Sequence, residues 1–237
     1  MLPLVTKRNN VHFLVMELSI KEIKEQEKER KRNYILDAAE KLFFSRGYDS
    51  VSMDDIANEV ELSKAALYLY FKDKESLFFT IVLRGIKLLN AMIEESIKSC
   101  KTGVEILDTI ARVYFEFVNK YPNHNRAYLY FRSDRFDIED SEDMNEVAKE
   151  ILKLRQDTFV ITCNAIKSGI DEGLIRRDVD PVEVTVFLTL ILKNLTEMRS
   201  DFIKLLEKRG IDKYQFFTDV AEFVHRMLMN TERGDAK

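Results

Sequence analysis

The chain has 237 residues, and its 46% hydrophobic content is enough to build a packed core and excludes a disordered polymer. Its 7 Gly and 3 Pro fall well below the roughly 17 and 12 of average usage, so turns are few and a sheet-rich fold gives way to an all-α one. A net charge of −4 excludes a protein that meets nucleic acid through bulk charge, so any such contact needs a local arrangement of cations.

Residues 1–30 read as an N-terminal extension. The apolar run Val11 to Met16 is too short to span a membrane, and no membrane partner is expected. From Met16 the segment MELSIKEIKEQEKERKR is charged and could extend the first helix, with a disordered arm the form expected of it. Lys28, Arg30, Lys31 and Arg32 there alternate with Glu25, Glu27 and Glu29, the pattern of a solvated face. From Asn33, Ile35, Ala38, Ala39, Leu42 and Phe43 recur at helical spacing until Gly47. Ser52 and Asp55 form a capping box ahead of Met53, Ile56, Ala57 and Val60. After a turn at Glu61-Leu62, Ser63 caps a further short helix, so residues 31–78 read as a helix-turn-helix domain. If Leu67 and Phe71 form the buried stripe of that last helix, Ala65, Ala66 and Leu69 turn outward, apolar side chains aimed at something other than the core.

The segment ILDAAEKLFFSRGYDSVSMDDIANEVELSKAALYLYFKDKESLF resembles the N-terminal domain of the tetracycline-repressor-like (TetR) family. Its marks are the Ala-Ala and Phe of the first helix, Gly47-Tyr48, Ile56-Ala57, then Ser63, Leu67, Tyr68, Phe71, Lys74, Glu75 and Leu77 in order. The resemblance implies a transcriptional regulator that reads a double-stranded DNA operator in the major groove and is not an enzyme. It places Ser63, Lys64, Ala65, Ala66, Tyr68, Leu69 and Tyr70 at DNA contacts, and Ser52 and Lys74 at phosphates. Two departures stand out: Glu61 where the family often has Gly, and Ala65-Ala66 where it often has Gly and a small polar residue. Apolar groove-facing side chains suit thymine methyl groups, so A·T pairs are expected in each half-site.

Asp73 caps a helix carried to about Lys98 by Leu77, Phe78, Ile81, Val82, Ile86, Leu89 and Ile93, and residues 79–237 read as a helical effector-binding and dimerisation domain. Helices are expected from Gly103 to Tyr121, about Asn125 to Arg132, Ser141 to Gly173, Asp180-Pro181 to Gly210, and Asp212 to about Asn230. The aromatic-rich middle gives Tyr114, Phe117, Tyr128, Phe131 and Phe159, with Cys163, Asn164, Phe187 and Asn194, as lining for an apolar cavity; the resemblance implies a small hydrophobic or amphipathic effector there. Leu188, Leu192, Phe216, Val220, Phe223, Val224 and Met227 are expected to pair with their copies in a homodimer. Cys100 and Cys163 lack metal-type spacing and fit a reducing cytoplasm; the three His are scattered, and no metal or cofactor is expected. The alternative is a helical ligand-binding module or adaptor that reads no specific operator, favoured by the near-neutral N-terminal region, Glu61 and the two Ala.

Overall fold

The computed structural model describes residues 5–133, 135–136 and 146–230, with side chains from residue 21 onward. Among these residues the regular structure is helical: α1 Val5–Arg46, α2 Met53–Glu59, α3 Lys64–Tyr68, α4 Lys74–Ile97, α5 Gly103–Lys120, α6 Pro122–Phe131, α7 Glu146–Asp171, α8 Pro181–Thr196, α9 Ser200–Glu207 and α10 Lys213–Leu228. An isolated antiparallel bridge joins Ile175 and Met229. The chain divides into two compact units, Met1–Ile81 and Val82–Lys237, with the boundary inside α4.

In the first unit α1 is far longer than the hydrophobic periodicity suggests. The expected disordered arm is helical from Val5, because 42 residues without Gly, rich in Glu and Lys, favour continuing the helix that its C-terminal half nucleates by packing. Gly47 stops it at φ +81°, a left-handed cap whose N–H donates to the Phe43 carbonyl at 2.9 Å. Ser52 and Asp55 make the reciprocal capping box at the start of α2. The turn into α3 holds Glu61 at φ +53°, which explains why glycine suits this position and why a side chain here costs on the order of 1 kcal/mol. Ile35, Ala39, Leu42, Phe43, Ile56, Leu67, Phe71 and Phe78 are buried together. The Phe43, Tyr48 and Phe78 rings meet at centroid distances of 4.8–5.6 Å, fixing α1 against the start of α4.

In the second unit α4, apolar and long enough by composition to cross a membrane, is a core helix: 67% of its most apolar window is buried. Buried Asn90 ties it to α7, donating to the Leu154 carbonyl at 3.1 Å and accepting from the Thr158 hydroxyl at 3.2 Å. The helix expected from about Asn125 opens earlier, with Pro122 as the first residue of α6. The expected start of α7 at Ser141 lies outside the described residues. The single helix expected from Asp180-Pro181 to Gly210 is broken. Glu197 closes α8, and Arg199, at φ −60° and ψ 146°, is extended before α9, with no Gly or Pro to announce the break. Phe115 on α5 stacks on Phe217 of α10 at 4.1 Å, and the chain beyond α10 pairs with residues 174–176 through Arg176 N–H to Leu228 and Asn230 N–H to Leu174.

Candidate nucleic-acid interface and effector cavity

Ser63 accepts the Ala66 N–H at 3.2 Å and so starts α3, only five residues long, on whose inner side Leu67 is fully buried. Phe71, just beyond it, is buried at 3% exposure, whereas Leu69 is 79% exposed, Tyr68 44%, and Ala65 is open. Ala66 and Tyr70 are half-buried. Ser63, Lys64, Ala65, Tyr68 and Leu69 thus share the solvent side of one short element.

The cations of this surface are less free than their positions in the sequence suggest. Lys64 is held by Asp54 of α2 at 2.9 Å, and that carboxylate, by hydrogen bond and charge, raises the Lys64 ammonium above its usual range. Lys74 differs from a phosphate-facing cation: its ammonium donates to the Tyr48 and Val51 carbonyls, both at 2.8 Å, and lies 4.1 Å from the centre of the Tyr48 ring. It is a staple between α4 and the loop after α1. Ser52 is exposed, but its hydroxyl is engaged with Asp55, whose carboxyl that bond holds below its usual range. The Asp55 carboxylate already complements the start of α2, the end that an anion would otherwise favour.

The second unit encloses a cavity of about 660 Å³, inside the range typical of small-molecule sites. Leu89, Ile93, Ile110, Leu152, Phe159 and Phe217 line much of it, with Tyr114 and Tyr128. Its charged lining is Asp108, Arg132, Arg155, Lys193, Glu197 and His225. Arg155 lies over the Tyr128 ring at 5.0 Å. Burial raises the Tyr114 hydroxyl above its usual range, against the opposing pull of Arg155 and Thr196. Burial likewise raises the Asp108 carboxyl, which the charge of His225 opposes.

Several residues expected at this cavity lie elsewhere. Phe117 and Phe131 are core; Phe131 stacks behind Tyr128 at 6.4 Å. On α7 the lining positions are Leu152, Arg155, Gln156, Thr158, Phe159 and Thr162, which turns Cys163 aside and leaves Asn164 exposed. On α8 they are Leu188, Thr189, Ile191, Leu192, Lys193 and Leu195, whereas Phe187 and Asn194 are exposed, and Asn194 donates to the Leu190 carbonyl.

The same register corrects the expected pairing face. Leu188, Leu192, Val220 and Val224 line the cavity, and Phe216 is half-buried. The exposed large apolar side chains of these two helices are Val182, Val186, Phe187 and Leu190 on α8, with Tyr214, Phe223 and Met227 on α10. Arg132, Arg155, Asp108 and His225 went unnoticed because charged side chains give no sequence signal of cavity lining.

The described residues thus form a helix-turn-helix unit followed by a helical unit that carries a cavity. Residues 35–81 match the profile described as bacterial regulatory proteins, tetR family. The HTH-type transcriptional activator FasR of Mycolicibacterium smegmatis is 26% identical over 91 residues, 38% of this chain and 42% of FasR, so the likeness spans less than half of that relative. The fatty acid metabolism regulator protein of Bacillus subtilis is 26% identical over 155 residues, 64% of this chain and 79% of that protein. The crystal structure of AibR in complex with isovaleryl coenzyme A and operator DNA superposes with a TM-score of 0.58, at 22% identity, over 71% of this chain and 87% of AibR.

Proposed function

We propose that this protein is a homodimeric cytoplasmic repressor that reads A·T-containing half-sites through the exposed side of α3 and is released by an amphipathic acyl compound, a fatty acyl thioester being the class that fits best. The observation that carries the reading is the exposure of Leu69 beside buried Leu67 and Phe71, an apolar side chain offered outward from a helix-turn-helix element. Ser63, Lys64, Ala65, Ala66, Tyr68 and Tyr70 surround it, with Lys64 exchanging Asp54 for a phosphate. The cavity supports the effector class: apolar walls accept a chain, and Arg132, Arg155 and Lys193 offer partners to an anionic end. A relative named for fatty acid metabolism and a similar fold bound to isovaleryl coenzyme A agree with that class. The outward apolar face of α8 and α10 supports pairing across a twofold axis, which two half-sites require.

Selection of duplexes from a random library on the full chain, followed by fluorescence anisotropy across a salt series, tests the DNA half of this reading. Enriched half-sites containing A·T pairs, with affinity falling steeply as salt rises, are expected. Absence of any enriched duplex would instead favour the ligand-binding module, the reading that Asp54 against Lys64 most supports.

A further inference from the structure

The part of α1 that precedes the helix-turn-helix core carries a pattern that the core does not explain. Lys21, Lys24, Lys28 and Lys31, at spacings of three, four and three, fall on one stripe of the helix. The same stripe continues as Ile35, Ala39 and Leu42, the side buried in the first unit. Glu22, Glu25 and Glu29 fall on a neighbouring stripe, so the charges that look alternating in sequence are segregated in space. All four lysines are exposed, and none has an ion-pair partner among the described residues. Toward the core, Lys24, Lys28, Arg30 and Lys31 line a groove of about 630 Å³ with Tyr34, Glu27 and Tyr70. Tyr70 directly follows the exposed Tyr68 and Leu69, so this groove is continuous with the surface assigned above to DNA.

We propose that this lysine-lined groove binds the phosphodiester backbone of DNA flanking each half-site, extending the footprint beyond what α3 reads. The inference rests on the assignment of the α3 surface to operator DNA. Four cations against one carboxylate, Glu27, give the groove the sign a phosphate needs. Lysine ammoniums, point charges on flexible stems, suit backbone contact without base reading. From Lys21 to Lys31 the stripe runs about 15 Å at 1.5 Å per residue, close to half a turn of B-DNA. Its register with the buried seam means that packing of α1 against the core fixes which way the lysines point.

The test uses a duplex recovered by library selection on the full chain, in two lengths: the minimal site, and the same site with one extra helical turn on each side. The unsubstituted protein is expected to bind the longer duplex more tightly and with a steeper salt dependence. In K24Q/K28Q/K31Q that gain should disappear, roughly tenfold or more at low salt, and the salt slope should fall by up to about 3 per protomer at about 0.9 per lost contact. Half-site preference and melting temperature should stay as they are, since Gln keeps the helix propensity and the positions are exposed. K24R/K28R/K31R should retain the gain. A Gln variant that keeps both the length-dependent gain and the full salt slope overturns the proposal while leaving operator recognition intact. So does one whose defect is a changed oligomeric mass without DNA, which would assign the stripe to a second copy of the chain. Failure of the unsubstituted protein to enrich any duplex overturns the operator reading itself.

Discussion

Within five residues, Leu67, Leu69 and Phe71 are set to different tasks by the rotation of the backbone alone. Leu67 and Phe71 are buried, and Leu69 is 79% exposed. Leu69→Ala is therefore expected to leave the melting temperature near its original value and to weaken binding by on the order of 1 kcal/mol, only where the operator has A·T at the touched pair. Phe71→Ala should cost roughly 3–5 kcal/mol of stability and abolish binding through the fold. Lys74→Ala should resemble Phe71→Ala in kind, since it removes the ammonium that bonds the Tyr48 and Val51 carbonyls and leaves the Tyr48 carbonyl with the 3.4 Å bond from the Val51 N–H. A stability loss of roughly 1–3 kcal/mol is expected in thermal melts, larger than the loss of one phosphate contact would leave. Equal melting temperatures for Lys74→Ala and the parent would return Lys74 to the surface. The inward and outward sides around α3 were legible because a wheel needs only spacing. The anchorage of Lys74 was not, because its acceptors lie 23 and 26 residues upstream and nothing local distinguishes a stapling lysine from a solvated one.

Among the elements, those with side-chain caps or strong periodicity could be read directly: Ser52 for α2, Asp180 for α8 and Asp212 for α10 each accept the backbone N–H groups that the sequence pattern assigns them. The break between α8 and α9 could not, since Glu197 and Arg199 carry no breaker chemistry, and Arg199 is extended there with its side chain exposed and paired with Asp201. Close approaches between helices were equally hidden. A Cβ at Gly103 would lie 2.0 Å from the Ala165 carbonyl oxygen and 2.5 Å from the Gly169 nitrogen, so α5 begins directly against the α7 backbone. One at Gly85 would meet only the His124 side chain at 3.0 Å. Gly103→Ala is expected to destabilise the second unit by about 3 kcal/mol or more, because backbone cannot swing aside, and Gly85→Ala by about 1 kcal/mol. Denaturant titrations that rank the two in the opposite order would contradict this account of the packing. Gly85→Leu, which demands more room beside His124, should disturb the response to effector as well as stability.

For the whole molecule the cavity and the DNA-reading surface belong to different units, and α4 is a helix continuous through the boundary between them. In the regulator proposed here, an effector that preferred one disposition of the units would change the spacing of paired recognition elements, which B-DNA fixes at about 34–36 Å. That coupling requires a dimer. The variant L190E/F223E, which places charge on the outward apolar face, is expected to sediment as a monomer and to lose high-affinity binding, while folding as before. The most direct measurement of the central claim is a titration of palmitoyl-CoA into the full chain bound to its selected duplex, followed by anisotropy, with binding to the free protein measured in parallel by calorimetry. The account predicts that the acyl thioester binds and lowers DNA affinity by about 5–150-fold. Saturation by the acyl thioester with the duplex held as tightly as before would contradict it.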